Sequence, residues 1–92
     1  MSWQVAYKPT FLKELAQLPP KLRRRVEAFA FEEMPKVSNP YALAGVTKLR
    51  GYRGYYKISF EEYRVGLRID KKTKLIEFCR ILHRREIYRY FP

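Results

Sequence analysis

The sequence is poor in the residues that build metal sites and disulfides. Its 92 residues include one cysteine and one histidine. A single cysteine excludes an internal disulfide, and because Cys79 lies in an apolar run we expect a buried, reduced thiol. One histidine and one cysteine cannot build a zinc site, and the sequence has no paired acidic motif of the kind that binds magnesium. We therefore expect neither a metal ion nor another cofactor.

Long hydrophobic runs and nucleotide-binding loops are also missing. No apolar stretch is long enough to span a bilayer, and the N-terminal MSWQVAYKPT lacks the apolar region of a signal peptide. We therefore expect a cytoplasmic protein without a membrane partner. GYRG at 51–54 lacks the spacing of a phosphate-binding loop, and no Ser-His-Asp combination is evident, which disfavours a kinase or a serine protease.

Acidic residues are scarce relative to basic ones. Twenty lysines and arginines oppose nine aspartates and glutamates, a net charge of +11. Residues 1–47 carry seven cations and four acids, net +3, whereas residues 48–92 carry thirteen and five, net +8. Such an excess weakens the compact state by self-repulsion and indicates an anionic partner: nucleic acid, an acidic protein or an anionic membrane. The second half should carry most of the anion-facing surface.

The remaining composition predicts one folded domain over residues 1–92. Hydrophobic residues make up 47% and aromatic residues 16%, which is enough for one modest core. Phe11, Leu15 and Leu18 form an apolar helical stripe, and Thr10 is the expected N-cap of that helix. The prolines at 19 and 20 end it, and a second helix should run from about Pro20 to Met34.

The rest of the chain reads as a loop followed by a series of strands. A short strand is predicted at 3–7, a loop at 35–47, and further strands at about 47–50, 55–60, 63–70 and 74–81. The tail HRREIYRYFP should form one or two helical turns. This order predicts an α+β fold, with an N-terminal strand and a helical hairpin packed on one face of a mostly antiparallel sheet of four or five strands, and a short C-terminal helix.

The stretch GYYKISFEEYRVGLRI at 54–69 alternates like a β-hairpin. If the helices cover its apolar face, then Lys57, Ser59, Arg64 and Arg68 point outward. Each cation alone is typical of a solvated surface, but together they have few acids beside them. Glu-Glu is a poor two-residue turn, which leaves the register open, although a tight turn would pair 59 with 64.

These residues suggest metal-free handling of an RNA phosphodiester. Arginine and lysine bind phosphate oxygens, tyrosines offer stacking surfaces, and RNA supplies its own nucleophile, the 2′-hydroxyl. The segment LHRREIY places His83, Arg84, Arg85 and Tyr88 just after the last strand, beside the open face of the sheet. Histidine titrates near neutrality, but a lone histidine is more often structural than catalytic.

Several motifs match one known family. They are Asn39-Pro40, KLRG at 48–51, YYKI at 55–58, YRV at 63–65 and RILHRREIYR at 80–89. With these, the sequence resembles the RelE side of the RelE/ParE superfamily of type II toxin–antitoxin toxins, over most of its length. The resemblance implies a RelE-like fold and a ribosome-dependent endoribonuclease that cleaves mRNA in the A site by 2′-hydroxyl attack, without metal.

The resemblance also implies partners and residue roles. An antitoxin with an acidic contact region would inhibit the toxin, mRNA and ribosomal RNA would be its targets, and DNA would be contacted only through an antitoxin complex. Lys57 matches a proton-transferring or charge-stabilising lysine, Arg64 and Arg84 match phosphate-contacting arginines, and Tyr88 matches a tyrosine that stacks on a base and orients the nucleophile. His83 is an open competitor for the proton.

The expected substrate-binding residues are Lys48, Arg50, Arg53 and Arg68. Ser59 departs from relatives that carry a second cation there, and Leu82 stands where relatives often have glycine. Two alternatives stay open: a ParE-like inhibitor of DNA gyrase that cleaves nothing, and a non-catalytic basic RNA-binding protein.

Overall fold

The structure, a computed structural model, describes residues 2–92 as one α+β domain. Five strands form one sheet, with a helical hairpin between the first two and a short helix near the C-terminus. The strands are β1 Gln4–Tyr7, β2 Thr47–Lys48, β3 Tyr55–Phe60, β4 Tyr63–Asp70 and β5 Leu75–His83. The helices are α1 Pro9–Ala16, α2 Pro20–Ala28 and α3 Ile87–Tyr90. Within residues 2–92, no helix has the length and apolarity needed to cross a bilayer.

The sheet has the strand order β1-β5-β4-β3-β2. β1 pairs with β5 in parallel and all other neighbours are antiparallel, which confirms the predicted fold class. In the hairpin, Ser59 lies opposite Arg64 and Lys57 opposite Gly66, as a tight turn requires. The register that the sequence left open is therefore the tight one.

The Glu61-Glu62 turn achieves this register through an unusual backbone. Glu61 has a φ of 54°, in the left-handed region, which costs an L-residue roughly 1–2 kcal/mol. Around it, Arg25 contacts the Glu61 carboxylate at 2.6 Å, and Arg64 Nη1 donates to the Glu61 carbonyl at 3.0 Å. These two contacts, one of them from the distant helix α2, help to hold a turn that its own sequence disfavours.

The main core lies between the helical hairpin and one face of the sheet. Its helical side chains include Phe11, Leu15, Leu22 and Val26, and its sheet side chains include Ile58, Val65, Leu67, Ile76, Phe78 and Ile81. Val65 and Leu67 alternate onto one face of β4, and their β5 partners Ile81 and Phe78 share that face because the pairing shifts by one residue between Gly66 and Leu67. The expected apolar face of the β3–β4 hairpin is therefore the covered one.

The predicted N-cap of α1 and the predicted ends of β2 and β5 were wrong, whereas the second helix keeps about its predicted extent but changes type along its length. Helix α1 begins at Pro9 after Lys8, so Thr10 lies in the first turn and caps nothing; proline at the first helical position fixes φ for the helix one residue early. After α2, helical backbone continues through a π-helical segment, Phe29–Glu33, and a 3₁₀ turn, Met34–Lys36. Strand β5 extends to His83, beyond the expected end at 81, because β4 pairs with it throughout.

The tail covers part of the second face of the sheet. Ile87 and Phe91 are buried against Leu49 and Cys79 in a small second core, with Tyr55 and Leu82 packed beside it. Burial raises the pKa of the Cys79 thiol to about 11. The second face is therefore not open along its whole length, because the tail has apolar residues of its own to bury.

Helix α1 also completes the edge of β5. β1 pairs with β5 only as far as Phe78. Beyond that point the Glu14 carboxylate accepts a hydrogen bond from the Ile81 amide at 3.0 Å and from two nitrogens of Arg80 at 2.5–3.1 Å. One carboxylate thus satisfies a strand amide that β1 does not reach.

Candidate catalytic and RNA-binding face

Lys57 and Tyr88 meet on the second face of the sheet. Lys57 points away from the helical hairpin because it alternates with the buried Ile58. Its Nζ donates a hydrogen bond to Tyr88 Oη and lies 4.8 Å from the centroid of the tyrosine ring. Tyr88 remains 56% exposed. Two of the predicted catalytic residues, 31 positions apart, are therefore in contact and open to a ligand.

A shallow cleft surrounds this pair. It has a volume of about 320 Å³ and is lined by Lys48, Leu49, Arg50, Tyr52, Lys57, Tyr88 and Phe91. Three of these residues are cationic and two are tyrosines with exposed rings. Cations with neighbouring aromatic faces are the combination that binds single-stranded nucleic acid, through phosphates and bases respectively.

Arg64 lies on the same face, at the turn end of the hairpin. It is directly opposite Ser59, two residues along β3 from Lys57. Its Nη1 donates to the carbonyl oxygens of Glu61 and Tyr63, both at 3.0 Å. A guanidinium has five N–H donors, so this anchoring leaves others available for a phosphate.

Arg84 is held at the same turn. Its Nε contacts the Glu62 carboxylate at 2.7 Å, and its backbone amide donates to the Glu62 carbonyl at 2.7 Å. Both side chains of the ion pair are more than half exposed, so the pair is worth at most about 1 kcal/mol and an anionic ligand can displace it. The hairpin turn therefore gathers Arg64 from β4 and Arg84 from the segment after β5.

His83 is not on the face that carries Lys57. It pairs with Tyr63, two residues along from the buried pair of Val65 and Ile81, so it shares their side of the sheet. Its ring contacts Tyr63 edge-on at 5.6 Å, and its Nδ1 accepts a hydrogen bond from the Arg85 amide at 3.2 Å. The expectation that His83 lies beside the open face was wrong because β5 continues to that residue and fixes its direction.

The predicted substrate-binding cations differ in their surroundings. Lys48, Arg50 and Arg53 are exposed, and none has an acidic partner within the described residues 2–92. Arg68 instead contacts Glu77 of β5 at 3.0 Å, and this hydrogen bond raises its pKa. Glu77 thus balances the charge of Arg68 on the second face, which corrects the expectation that acids are nearly absent there.

A second cleft continues from Lys48 towards the β4–β5 turn. Its lining includes Lys48, Arg53, Lys71, Lys72 and two tyrosines, Tyr41 and Tyr56. Sequence reasoning did not select the turn lysines or these tyrosines, although two adjacent lysines in a turn are a visible signal. It also passed over Phe91 and Gly66, which contact each other under the tail; glycine within a strand is the signal that indicates such a close approach.

Metal-ligating side chains are not grouped in the part of the chain that the structure describes. Across residues 2–92, no three His, Cys, Asp or Glu side chains lie close enough together to hold an ion.

Comparison with known proteins decides the family. Residues 5–88 match the family model described as the ParE toxin of type II toxin–antitoxin system, parDE. Toxin RelE3 of Methanocaldococcus jannaschii is 35% identical over 89 residues, which are 97% of this chain and 99% of that protein. The chain belongs to the RelE/ParE superfamily of type II toxins.

Solved structures support the same placement. The RelB–RelE antitoxin–toxin complex from Methanococcus jannaschii matches with a TM-score of 0.74 and 35% identity, covering 95% of this chain and 99% of that one. RelBE2 from Mycobacterium tuberculosis matches with a TM-score of 0.70 and 25% identity, covering 90% and 92%. The family model is described as ParE and these relatives as RelE. Family membership alone therefore does not decide the activity of this RelE-like toxin, which has to be argued from the residues of its own site.

Proposed function

We propose that this RelE-like toxin is a ribosome-dependent, metal-independent endoribonuclease that cleaves mRNA in the A site and inhibits translation. The observation that supports this most strongly is the contact between Lys57 and Tyr88 inside a cationic cleft. Arg64 and Arg84, gathered at the hairpin turn, add two permanent charges. A cytoplasmic location is part of the proposal.

The chemistry has three requirements. The 2′-hydroxyl must lose a proton as it attacks phosphorus, the phosphorane must be stabilised, and the departing 5′-oxygen must gain a proton. The P–O5′ bond breaks as the P–O2′ bond forms, which leaves a 2′,3′-cyclic phosphate and a 5′-hydroxyl. Arginines suit the second task because they stay charged. Proton transfer then falls to Lys57 and Tyr88, which touch, rather than to His83 on the other side of the sheet.

Binding and chemistry are assigned to different residues in this proposal. Lys48, Arg50 and Arg53 contact phosphates of mRNA or ribosomal RNA, and Tyr88 stacks on a base beside the scissile phosphate. Arg68 has a smaller binding role because it is engaged with Glu77. The partner is an acidic antitoxin segment, as the net charge of +11 favours and as the RelB-bound structures of the relatives suggest by analogy.

The alternative is inhibition of DNA gyrase, which the ParE description of the family model brings forward. Such an inhibitor binds a protein and needs no phosphodiester chemistry. The joint presence of Lys57, Arg64, Arg84 and Tyr88 favours the nuclease, since phosphodiester cleavage uses proton-transferring groups and permanent charges that protein binding does not require.

The proposal predicts cleavage of a reporter mRNA only when it is bound to ribosomes with an empty A site. Purified toxin would be added to programmed ribosomes, to free mRNA, and to gyrase in a supercoiling assay. Lys57→Ala should abolish cleavage, whereas Lys13→Ala, which removes an exposed lysine of α1, should keep the wild-type rate. Inhibited supercoiling with intact mRNA would support the ParE-like alternative instead.

A further inference from the structure

Gly66 forms a seat for the ring of Phe91. Gly66 lies on β4 directly opposite Lys57, on the face that carries the cleft. A Cβ placed on Gly66 would lie 2.8 Å from three ring carbons of Phe91, closer than such atoms approach in proteins. The ring therefore occupies the space that any other side chain at position 66 would need.

The seated ring is fixed by further contacts. Phe91 is 5% exposed, and Tyr55 meets its ring edge-on at 5.6 Å. Its backbone amide donates to the Ile87 carbonyl at 2.8 Å, and Ile87 is fully buried. Tyr88 therefore lies on an exposed turn between two buried anchors, Ile87 and Phe91.

Helix α3 cannot hold this geometry alone. It contains four residues, and helices much shorter than about 12 residues are unstable without tertiary contacts. The two anchors consequently fix where the Tyr88 ring lies relative to β3. Lys57 is the cross-strand partner of Gly66, so the pairing of β3 with β4 fixes the position of the lysine relative to the glycine that Phe91 contacts.

We infer that Gly66 and Phe91 form a positioning device that holds Tyr88 against Lys57. This inference rests on the proposed function for its effect on rate, but its geometric content is independent of it. Phe91 acts through Tyr88 and contacts no reacting atom in this scheme; it is a positioning residue, and Gly66 is the space it requires.

The first test adds one methyl group to the seat. Gly66→Ala should displace Phe91 and lower kcat on ribosome-bound mRNA roughly 10- to 100-fold, the scale of an ångström-sized misplacement. KM for ribosomes should change little, because Lys48, Arg50 and Arg53 are untouched. Gly66→Ala combined with Phe91→Leu should regain activity, since leucine lacks the ring carbons that clash. If Phe91→Leu did not restore the kcat lost in Gly66→Ala, the explanation by a clash between the added methyl group and the phenylalanine ring would be contradicted.

A double-mutant cycle separates positioning from general destabilisation. In a Tyr88→Ala background, Gly66→Ala should lower kcat no further, because the group it positions is gone. Ile76→Val, in the main core on the helix side, should lower stability while leaving kcat unchanged. Fully additive effects of Gly66→Ala and Tyr88→Ala would overturn the inference. If Gly66→Ala does not fold, Phe91→Ala is used in the same cycle with the same expectation.

A spectroscopic measurement tests the geometry without activity. In protein carrying carbon-13-labelled tyrosine, the Tyr88 signal, identified by its loss in Tyr88→Phe, should shift when Lys57 is replaced by methionine. That response should vanish in Gly66→Ala. A response that persists in Gly66→Ala contradicts the seat. If the wild type never cleaves mRNA but the response behaves as expected, the proposed function fails while the positioning role stands.

Discussion

In the proposed reaction, Lys57 and Tyr88 would carry out the proton transfers that fixed charge alone cannot perform. An unperturbed lysine or tyrosine side chain titrates near pH 10, so either needs help from its surroundings to exchange protons at pH 7. In the structure a direct hydrogen bond joins the two side chains, and the tyrosine ring lies beneath the ammonium, so both groups face the same ligand. Lys57 and Tyr88 would therefore transfer the protons, while Arg64 and Arg84 would stabilise the charge of the phosphorane.

Substitution of the lysine distinguishes proton transfer from electrostatics. Lys57→Ala should be at least as damaging as Arg64→Ala or Arg84→Ala, each of which should cost roughly 2–4 kcal/mol of transition-state stabilisation, the scale of losing one oxyanion donor. Lys57→Arg keeps the charge but not a removable proton, so it should not restore the rate. The measurement is the single-turnover cleavage rate at saturating ribosomes. Near-complete recovery in Lys57→Arg would make Lys57 an electrostatic anchor.

Alternation along the strands made part of this site predictable. Lys57 and Arg64 could be placed on one face because their neighbours Ile58 and Val65 are apolar. The position of Tyr88 could not be derived in the same way, because the tail has no regular pattern of apolar and polar residues. Its placement depends on the contact between Phe91 and Gly66. His83 was misplaced because β5 ends two residues later than expected and so determines the direction of that side chain.

Helix α1 and strand β5 are joined by one carboxylate. Glu14 accepts hydrogen bonds from Arg80 and from the Ile81 amide, and its side chain is 14% exposed. The hydrogen bond to Glu14 raises the pKa of Arg80. At the scale of elements, this contact attaches the helical hairpin beyond the end of β1.

Loss of this carboxylate should therefore destabilise the domain. Glu14→Ala should lower the free energy of unfolding by about 2–3 kcal/mol, since it leaves a half-buried guanidinium and a strand amide without partners. Glu27→Ala is the matched control: it removes another helical glutamate, whose contact with Arg23 is exposed, and should cost less than about 1 kcal/mol. Urea titration at pH 7 measures both. Equal losses would show that the Glu14 contact has no special weight.

The elements themselves were largely predictable, whereas their junctions were not. Apolar stripes and prolines marked α1 and α2, and alternation marked β3 and β4. The edge contact of Glu14, the bulge between Gly66 and Leu67, and the two-residue length of β2 each depend on partners far away in the chain. No local pattern encodes such partners, and this is why they appear only in the folded molecule.

Across the described residues 2–92, arginines and lysines differ in whether they form ion pairs with acidic side chains. Six of the nine acids form ion pairs, and within residues 2–92 every one of these pairs uses an arginine. The lysines, including Lys48 and Lys57, are thus left for external anions in the part of the chain that the structure describes. An acidic antitoxin and an RNA phosphate backbone would compete for this surface, and both associations should weaken as salt rises.

In the proposed reaction the RNA itself supplies the nucleophile, its 2′-hydroxyl. A reporter mRNA carrying a single 2′-deoxy nucleotide on the 5′ side of the scissile bond, loaded on ribosomes, tests this most directly. The toxin should cleave the all-ribose reporter to a 2′,3′-cyclic phosphate and a 5′-hydroxyl and leave the deoxy-substituted bond intact. Cleavage of the deoxy-substituted bond at the same rate would contradict this mechanism.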